Sequence, residues 1–515
     1  GRGWLAHEPA TSCSTDHNHC ETCKTLMSRI YMRALLAVIA LCAGSLQLGG
    51  CATNPVTGDN DFVLMSEDQE ISLGRKYNDE ILKEMPAYHD PVLDELVQRV
   101  GKKLAGFSHR PGIDYSFTII DSSTVNAFAL PGGYIYITRG MLAYLNSEAE
   151  LAAVLGHEIG HVTARHSVRQ QSTSAVTGLL GAVLAASTGI QGTDTLTNMA
   201  GTAIVRGYGR EHELEADRLG AEYLARSGYD PEAMLKVVGI LKNQESFEVA
   251  VAKKEGREPN VYHGLFSTHP DNDARFREVV NAAKKYKTSD TARVGRDSFL
   301  LRLDGLTFGD SEREGVIRDN RFFHKDLDFS ITFPSGWKIN NQTTRIIATP
   351  AAKDGLIQMT LAENKQRLSA KQFMQQELAI PLSSGKAFNA SGMKGYSAVA
   401  IGDTPFGKRR IRYAVVNHGD DTYIFAGTAR STERAGKYDD AILATAKSLH
   451  PLTGAEKKLA REKKLDIIRA PRGTTWSGLA RRSPITNYPE EQLRLLNDQY
   501  PAGEPATSEI IKIVR

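Results

Sequence analysis

The motif His-Glu-Ile-Gly-His, which begins at position 157, constrains this chain more than any other stretch. Ser147 and Glu150 just before it form a capping-box pattern, so a helix is predicted to begin there. Residues four positions apart share one face of a helix, so His157 and His161 can direct two imidazoles at one metal ion. Glu158 is rotated by about 100° from His157 and leans beside that ion. This placement suits a general base that acts on a metal-bound water.

A second helical pattern, Glu-His-Glu-Leu-Glu-Ala-Asp from position 211, supplies candidates for a third ligand. Zinc proteases of the two-His-plus-Glu type take one carboxylate from another helix and keep an open fourth position for water. Glu213 and Asp217 share a helix face, so Glu213 can bind the metal and Asp217 can accept the free ring N–H of a ligand histidine. Glu211 and Glu215 are rival candidates that lie off this face. A solvated acidic helix is the alternative for this pattern taken alone.

Four motifs, in this order, resemble one family of zinc metallopeptidases, which includes the CAAX prenyl endopeptidases, HtpX and the periplasmic quality-control proteases. The motifs are NAFALPGGYIYITRGML from position 126, HEIGHVTARHS from 157, ELEAD from 213 and STHPDNDAR from 267. In that family the first Glu of E-x-x-A-D is the third zinc ligand, which corresponds to Glu213. The resemblance therefore implies one Zn²⁺ held by His157, His161 and Glu213. It also implies Glu158 as the catalytic base and Asp217 as the hydrogen-bond partner of a ligand histidine.

Two further features are candidates for substrate contacts. The segment from position 126 to 137 is predicted to form a β-hairpin, and an edge strand near the metal can bind substrate backbone by strand addition. The candidates on that strand are Asn126, Ala127 and Phe128; an ordinary core sheet is the alternative. His269 and Arg275 in the last motif are candidates for stabilising the oxyanion of the tetrahedral intermediate. For His269, a plug in the open zinc position and a purely structural role are equal alternatives.

The chain is predicted to be a multidomain α+β protein, because 515 residues are enough for roughly two to four domains. Residues 51–290 are expected to form a mainly helical, gluzincin-type metalloprotease domain with a small sheet. Residues 320–450 are expected to form a small α+β domain with an antiparallel sheet, which resembles PsbP-like domains weakly. Residues 465–515 have a β-α-α-β order that resembles a LysM module.

The LysM-like segment raises a question about partners. Members of that family bind N-acetylglucosamine glycans such as peptidoglycan. This chain has Arg-Gly-Thr-Thr at 472–475 where the family usually has Gly-Asp-Thr. Peptidoglycan binding and a role as a folded spacer or docking module are therefore equal alternatives.

The start of the chain predicts export and a lipid anchor. Residues 27–50 have a basic start and an apolar core too short to span a membrane, as in a signal peptide. Small residues lead to Cys51, which resembles a lipobox, so cleavage before Cys51 and lipidation of its thiol are expected. Ala52 resembles the residue found in lipoproteins of the outer membrane. A plain secretory signal is the alternative, and residues 1–26 are interpreted as an upstream extension.

Together these features predict a zinc metalloendopeptidase that hydrolyses misfolded or misassembled envelope proteins on the periplasmic side of the bacterial envelope. The formal net charge of +3 is close to neutral and does not favour nucleic acid as a partner. The alternative is a non-catalytic chaperone or peptidoglycan-tethered scaffold with a structural metal. That alternative is disfavoured because a structural zinc is closed by a fourth side chain, which would leave Glu158 without a role.

Overall fold

The computed structural model describes residues 51–58, 60–172, 208–259 and 292–515, together with the single positions 279, 281 and 282. The expectations for residues 1–26 and 27–50, and those for His269 and Arg275, lie outside the described residues. Among the described residues, no helix combines the length and the apolar composition that a membrane crossing requires.

The first elements begin where local capping signals predict them. Ser66 and Gln69 form a complete capping box at the start of the first helix. Asp90 accepts hydrogen bonds from the first turn of the second helix, and Pro91 occupies its first position. In chain order these elements are β1 (Cys51–Thr53), β2 (Asn60–Phe62), α1 (Glu67–Glu84) and α2 (Pro91–Gly106), with β1 and β2 paired antiparallel.

A three-stranded sheet follows, with β3 (Ser116–Ile120), β4 (Ala127–Leu130) and β5 (Tyr134–Thr138). The spatial order is β3-β5-β4, so β5 is central and β4 is an edge strand. The predicted hairpin is present, since β4 and β5 pair antiparallel across a turn at Pro131–Gly133. Gly132 in this turn has φ 77° and a β-carbon there would lie 2.8 Å from the Cα of Ile71, so the turn requires glycine.

The helix that carries the His-Glu-Ile-Gly-His motif lies in the middle of the peptidase region. Every residue of this helix is buried, and among the described elements it packs against α2, β4 and three later helices. The helices of this region after α2 are α3 (Arg139–Tyr144), α4 (Glu148–Thr163), α5 (Arg210–Arg226), α6 (Ala233–Glu255) and α7 (Arg296–Arg302). Ser147 caps α4 by accepting from Glu150 N, as the capping pattern predicts.

The middle of the chain forms two antiparallel sheets and two helices, as expected for a small α+β region. Strands β7, β8 and β9 form one sheet, and the other has the order β10-β11-β12-β16-β15-β14-β13. Alternate residues of β15 enter opposite apolar clusters, Ala414 with helix α9 and Val415 with helix α8, so the helices cover opposite faces of the large sheet. The elements are β7 (Val316–Arg318), β8 (Arg321–His324), β9 (Phe329–Thr332), β10 (Lys338–Gln342), β11 (Arg345–Thr349), β12 (Gly355–Glu363), α8 (Ala370–Gln376), β13 (Lys386–Ala390), β14 (Met393–Thr404), β15 (Gly407–His418), β16 (Asp421–Ala429) and α9 (Thr432–Lys447).

The C-terminal segment has the predicted β-α-α-β order but packs into the peptidase core. Buried residues such as Leu465, Trp476 and Ile511 belong to the same apolar cluster as Leu96 of α2 and Leu155 of α4. Its strand β17 also pairs with β6, which follows the peptidase helices. The elements are β6 (Thr307–Phe308), α10 (Glu456–Leu459), β17 (Lys463–Arg469), α11 (Trp476–Ala480), α12 (Pro489–Leu496) and β18 (Ile510–Val514).

Candidate active site

Small residues allow the two ligand-bearing helices to approach each other at backbone distance. Gly156 and Gly160 of α4 face Ala216 and Gly220 of α5, and added β-carbons at these glycines would contact the backbone or side chains of the facing helix. Glycine in a helix interior costs roughly 1 kcal/mol relative to alanine. In return, the close approach of α4 and α5 places side chains of both helices around one point.

The side chains at that point are His157, His161 and Glu213. His157 Nε2 lies 3.1 Å from His161 Nε2, and the two carboxylate oxygens of Glu213 lie 3.5 and 3.6 Å from these nitrogens. All three residues are buried. Donors about 2.0–2.1 Å from a tetrahedral zinc lie about 3.3 Å from each other, so this donor set fits one zinc ion.

Asp217 fixes the first histidine of the cluster. Its Oδ1 lies 2.8 Å from His157 Nδ1, as the spacing of Glu213 and Asp217 predicts. A ring N–H donated from Nδ1 to Asp217 leaves the Nε2 lone pair directed at the cluster. Burial alone would lower the pKa of His157, but the hydrogen bonds and charges of Asp217 and Glu213 raise this pKa to about 10. The site therefore favours a positive charge, and a metal ion would replace the proton.

The second histidine has partners that sequence reasoning missed. His161 Nδ1 lies 2.8 Å from His166 Nδ1, and His166 Nε2 lies 3.0 Å from a carboxylate oxygen of Glu215. The ring of Tyr208 stacks on His161 with centroids 4.1 Å apart. Glu215, a rival ligand in the sequence, thus binds His166, and Glu211, the other rival, is exposed. The only signal in the sequence was a third histidine shortly after the motif.

Glu158 lies beside the cluster, on the turn of α4 that carries His157, and is buried. Burial raises the pKa of Tyr208, and the carboxylates of Glu158 and Glu213 raise it further, so this tyrosine stays neutral.

The edge strand β4 is also close to the cluster, since Ala129 and Leu130 border the same small gap as His161. Of the predicted edge residues, Ala127 is buried and Phe128 stacks on Tyr136.

Comparisons with known proteins show which family this region is similar to. Residues 91–283 match the model of peptidase family M48. The beta-barrel assembly-enhancing protease of Escherichia coli (strain K12) is 30% identical over 276 residues, which cover 52% of this chain and 54% of that protein. The corresponding protein of Yersinia pestis is 31% identical over 251 residues, which cover 46% of this chain and 49% of that protein. The chain therefore matches about half the length of these relatives.

More distant matches agree with the metallopeptidase assignment. The mitochondrial metalloendopeptidase OMA1 of Saccharomyces cerevisiae is 26% identical over 283 residues, which cover 49% of this chain and 78% of that protein. Among solved structures, cyanobacterial PsbP from Synechocystis sp. PCC 6803 aligns with a TM-score of 0.21 and 13% identity, over 27% of this chain and 95% of that one. A score this low carries no argument about the middle region.

Proposed function

We propose that the protein is a zinc-dependent endopeptidase acting on misfolded or misassembled proteins of the bacterial cell envelope, because residues 91–283 match the model of peptidase family M48. Zinc is the cofactor of this family. The observation that supports the proposal best is the buried cluster of His157, His161 and Glu213, with Glu158 next to it. The substrate class is supported by the name of the bacterial relatives, beta-barrel assembly-enhancing protease.

In this proposal each side chain at the cluster has a separate role in peptide hydrolysis. His157, His161 and Glu213 hold the ion, and Asp217 keeps His157 in the tautomer that can bind it. When bound, zinc supplies Lewis-acid activation of a water and of the scissile carbonyl. Glu158 accepts a proton from the attacking water and delivers it to the leaving nitrogen.

Substrate binding is assigned to the edge of the small sheet. Within the part of the chain that the structure describes, β4 pairs with β5 alone, so its outer edge can accept an extended peptide. The proposal therefore keeps Ala127 and Phe128 in the docking edge. The sequence also predicts Asn126 there, but it lies just before β4, and its backbone N–H and carbonyl both bond to Thr138 of β5. His269 and Arg275 remain the proposed transition-state groups, with the zinc plug as the alternative for His269.

The proposed location is the periplasmic side of the outer membrane, with a lipid on Cys51 after removal of a signal peptide at 27–50. The support for the anchor is the sequence itself, in which small residues lead to Cys51 as in a lipobox. Incorporation of radiolabelled palmitate into the wild type and its loss in Cys51→Ala would test the anchor.

For the LysM-like segment, we favour packing against the peptidase as its main role and keep peptidoglycan as an alternative partner.

Casein cleavage and metal content, measured together, test the proposed activity. The wild type and Glu158→Gln are expected to contain equal zinc, and only the wild type is expected to cleave casein. Equal cleavage by both proteins would contradict the role of Glu158. Bound zinc without cleavage in either protein would favour either a latent enzyme with His269 in the open zinc position or the scaffold with a structural metal. His269→Ala separates the two, because it should restore cleavage only in the latent enzyme.

A further inference from the structure

A chain of hydrogen-bonded polar side chains leads from the second histidine of the metal cluster to partly exposed residues. His161 contacts His166 through their Nδ1 atoms at 2.8 Å, and His166 Nε2 reaches a carboxylate oxygen of Glu215 at 3.0 Å. Nη1 of Arg169 donates to the same oxygen at 3.0 Å. His166 is fully buried, whereas the side chains of Glu215 and Arg169 are 15% and 26% exposed. The chain ends near the first hairpin, where Arg169 Nε lies 3.5 Å from Asp61 Oδ2.

The hydrogen-bonding capacity of these groups determines the direction of each bond. A carboxylate paired with an arginine is an acceptor only, so His166 must donate its Nε2–H to Glu215. Neutral His166 then has a bare Nδ1, which can only accept. The short contact to His161 therefore requires a proton on His161 Nδ1. His161 is left with a bare Nε2, which points towards His157 and Glu213.

A left-handed turn after α4 brings His166 into contact with His161. Helix α4 ends at Thr163, and Arg165 has φ 55°, a left-handed conformation that is uncommon outside glycine. The guanidinium of Arg165 is held by Glu70 at 2.8 Å and by the carbonyl of Met65 at 2.9 Å. Such strain costs roughly 1–3 kcal/mol and persists only where the surroundings enforce it. A second helical segment begins at His166, directly after this turn, and its first residue contacts His161.

We propose that His166, Glu215 and Arg169 are positioning residues of the metal site, which hold His161 in the tautomer and ring orientation that leaves its Nε2 for zinc. His157 is held by one carboxylate directly, whereas His161 is held by a carboxylate acting through a neutral histidine. This inference rests on the proposed function, because it assumes that the cluster binds zinc. It concerns affinity for the metal and not the chemical step.

Zinc affinity of the full-length protein, measured by competition with a chelating dye, tests the proposal. His166→Leu removes the acceptor and should weaken zinc binding roughly 10–100-fold, the usual effect of losing the hydrogen-bond partner of a ligand. His166→Asn places an amide oxygen near the original Nδ1 and should restore most of the affinity. His212→Leu is the matched control, because the contact recorded between His212 and His166 is ring stacking, with centroids 4.4 Å apart. Zinc affinity and activity of His212→Leu should stay near those of the wild type.

The outcomes separate this inference from the proposed function. His166→Leu with wild-type affinity and an unchanged melting curve would overturn it, as would an equal loss in His212→Leu. If His166→Leu does not fold, Glu215→Gln takes its place, and wild-type zinc affinity in that variant would overturn the inference. If the wild type itself binds no zinc, or if His157→Ala binds it normally, the proposed function fails as well.

Discussion

A β-carbon at Gly220 would lie 3.0 Å from the backbone nitrogen of His157, so α5 touches α4 at the residue that carries the first proposed ligand. The carbonyl carbon of Gly156 would be 3.2 Å from the same β-carbon. Backbone atoms cannot move aside as the end of a flexible side chain can. The distance between Glu213 and the two histidines therefore depends on a glycine that lies about two helical turns after Glu213.

Gly220→Ala should push α5 away from α4 and weaken both folding and zinc binding. Overpacking of a tight interior costs roughly 1–3 kcal/mol. Gly239→Ala is the matched control, because Gly239 lies in α6 with nothing within 4 Å of its added β-carbon and should be neutral or slightly stabilising. Denaturant unfolding and zinc titration of the two variants check this, and equal behaviour would contradict the close-contact account.

Asp217→Asn should lower zinc affinity while the fold is retained. The amide still accepts from His157 Nδ1, but it lacks the negative charge that favours a cation, so a loss of about 10-fold is expected. Glu211→Gln on the same helix is the control and should bind zinc like the wild type, since Glu211 is exposed. The reverse ranking in chelator competition would favour Glu211, the rival ligand, over the Glu213–Asp217 pair.

Glu148→Gln should destabilise the protein at neutral pH and much less in acid. Burial alone would raise the pKa of Glu148, but hydrogen bonds from Arg99 and Tyr229 and the charge of Arg293 lower it below its ordinary value. A lowered carboxyl pKa adds stability above the unfolded value, and this stability is lost as the pH falls through the folded value. The variant should lose roughly 1–3 kcal/mol at pH 7. Urea unfolding of both proteins at pH 7 and at about pH 3 measures the difference.

The control for that experiment is Glu95→Gln. Glu95 also pairs with Arg99, at 3.9 Å, but its side chain is 60% exposed, so screening leaves the pair little effect on stability. An equal loss in both variants, or a loss in Glu148→Gln that does not depend on pH, would contradict the assignment.

Trp476→Ala should unfold the metal site together with the C-terminal segment. Trp476 is fully buried in the cluster that includes α2 and α4, and truncation of a buried tryptophan costs roughly 3–5 kcal/mol. Trp337→Ala, which packs on the separate cluster of the large sheet, should leave zinc release on heating unchanged. If zinc is released at the same temperature in Trp476→Ala as in the wild type, the C-terminal segment is an independent module.

Local signals in the sequence predicted the parts of the fold that depend on few neighbouring residues. The starts of α1, α2 and α4 follow from Ser66, Asp90 and Ser147, whose side chains cap the next turn. The pairing of Asp217 with His157 follows from helical spacing. In contrast, the contact of His161 with His166 depends on the left-handed turn at Arg165, which a buried ion pair enforces over a long sequence distance. The packing of Trp476 into the peptidase core also arises from distant residues.

The most direct test of the central claim is anomalous diffraction at the zinc edge from crystals of Glu158→Gln. The account predicts one zinc, about 2.0–2.2 Å from Nε2 of His157, Nε2 of His161 and a carboxylate oxygen of Glu213, with its fourth position open to water. A zinc bound at another place would contradict the account. A zinc whose fourth position is filled by a side chain would also contradict it if the wild type cleaves no protein.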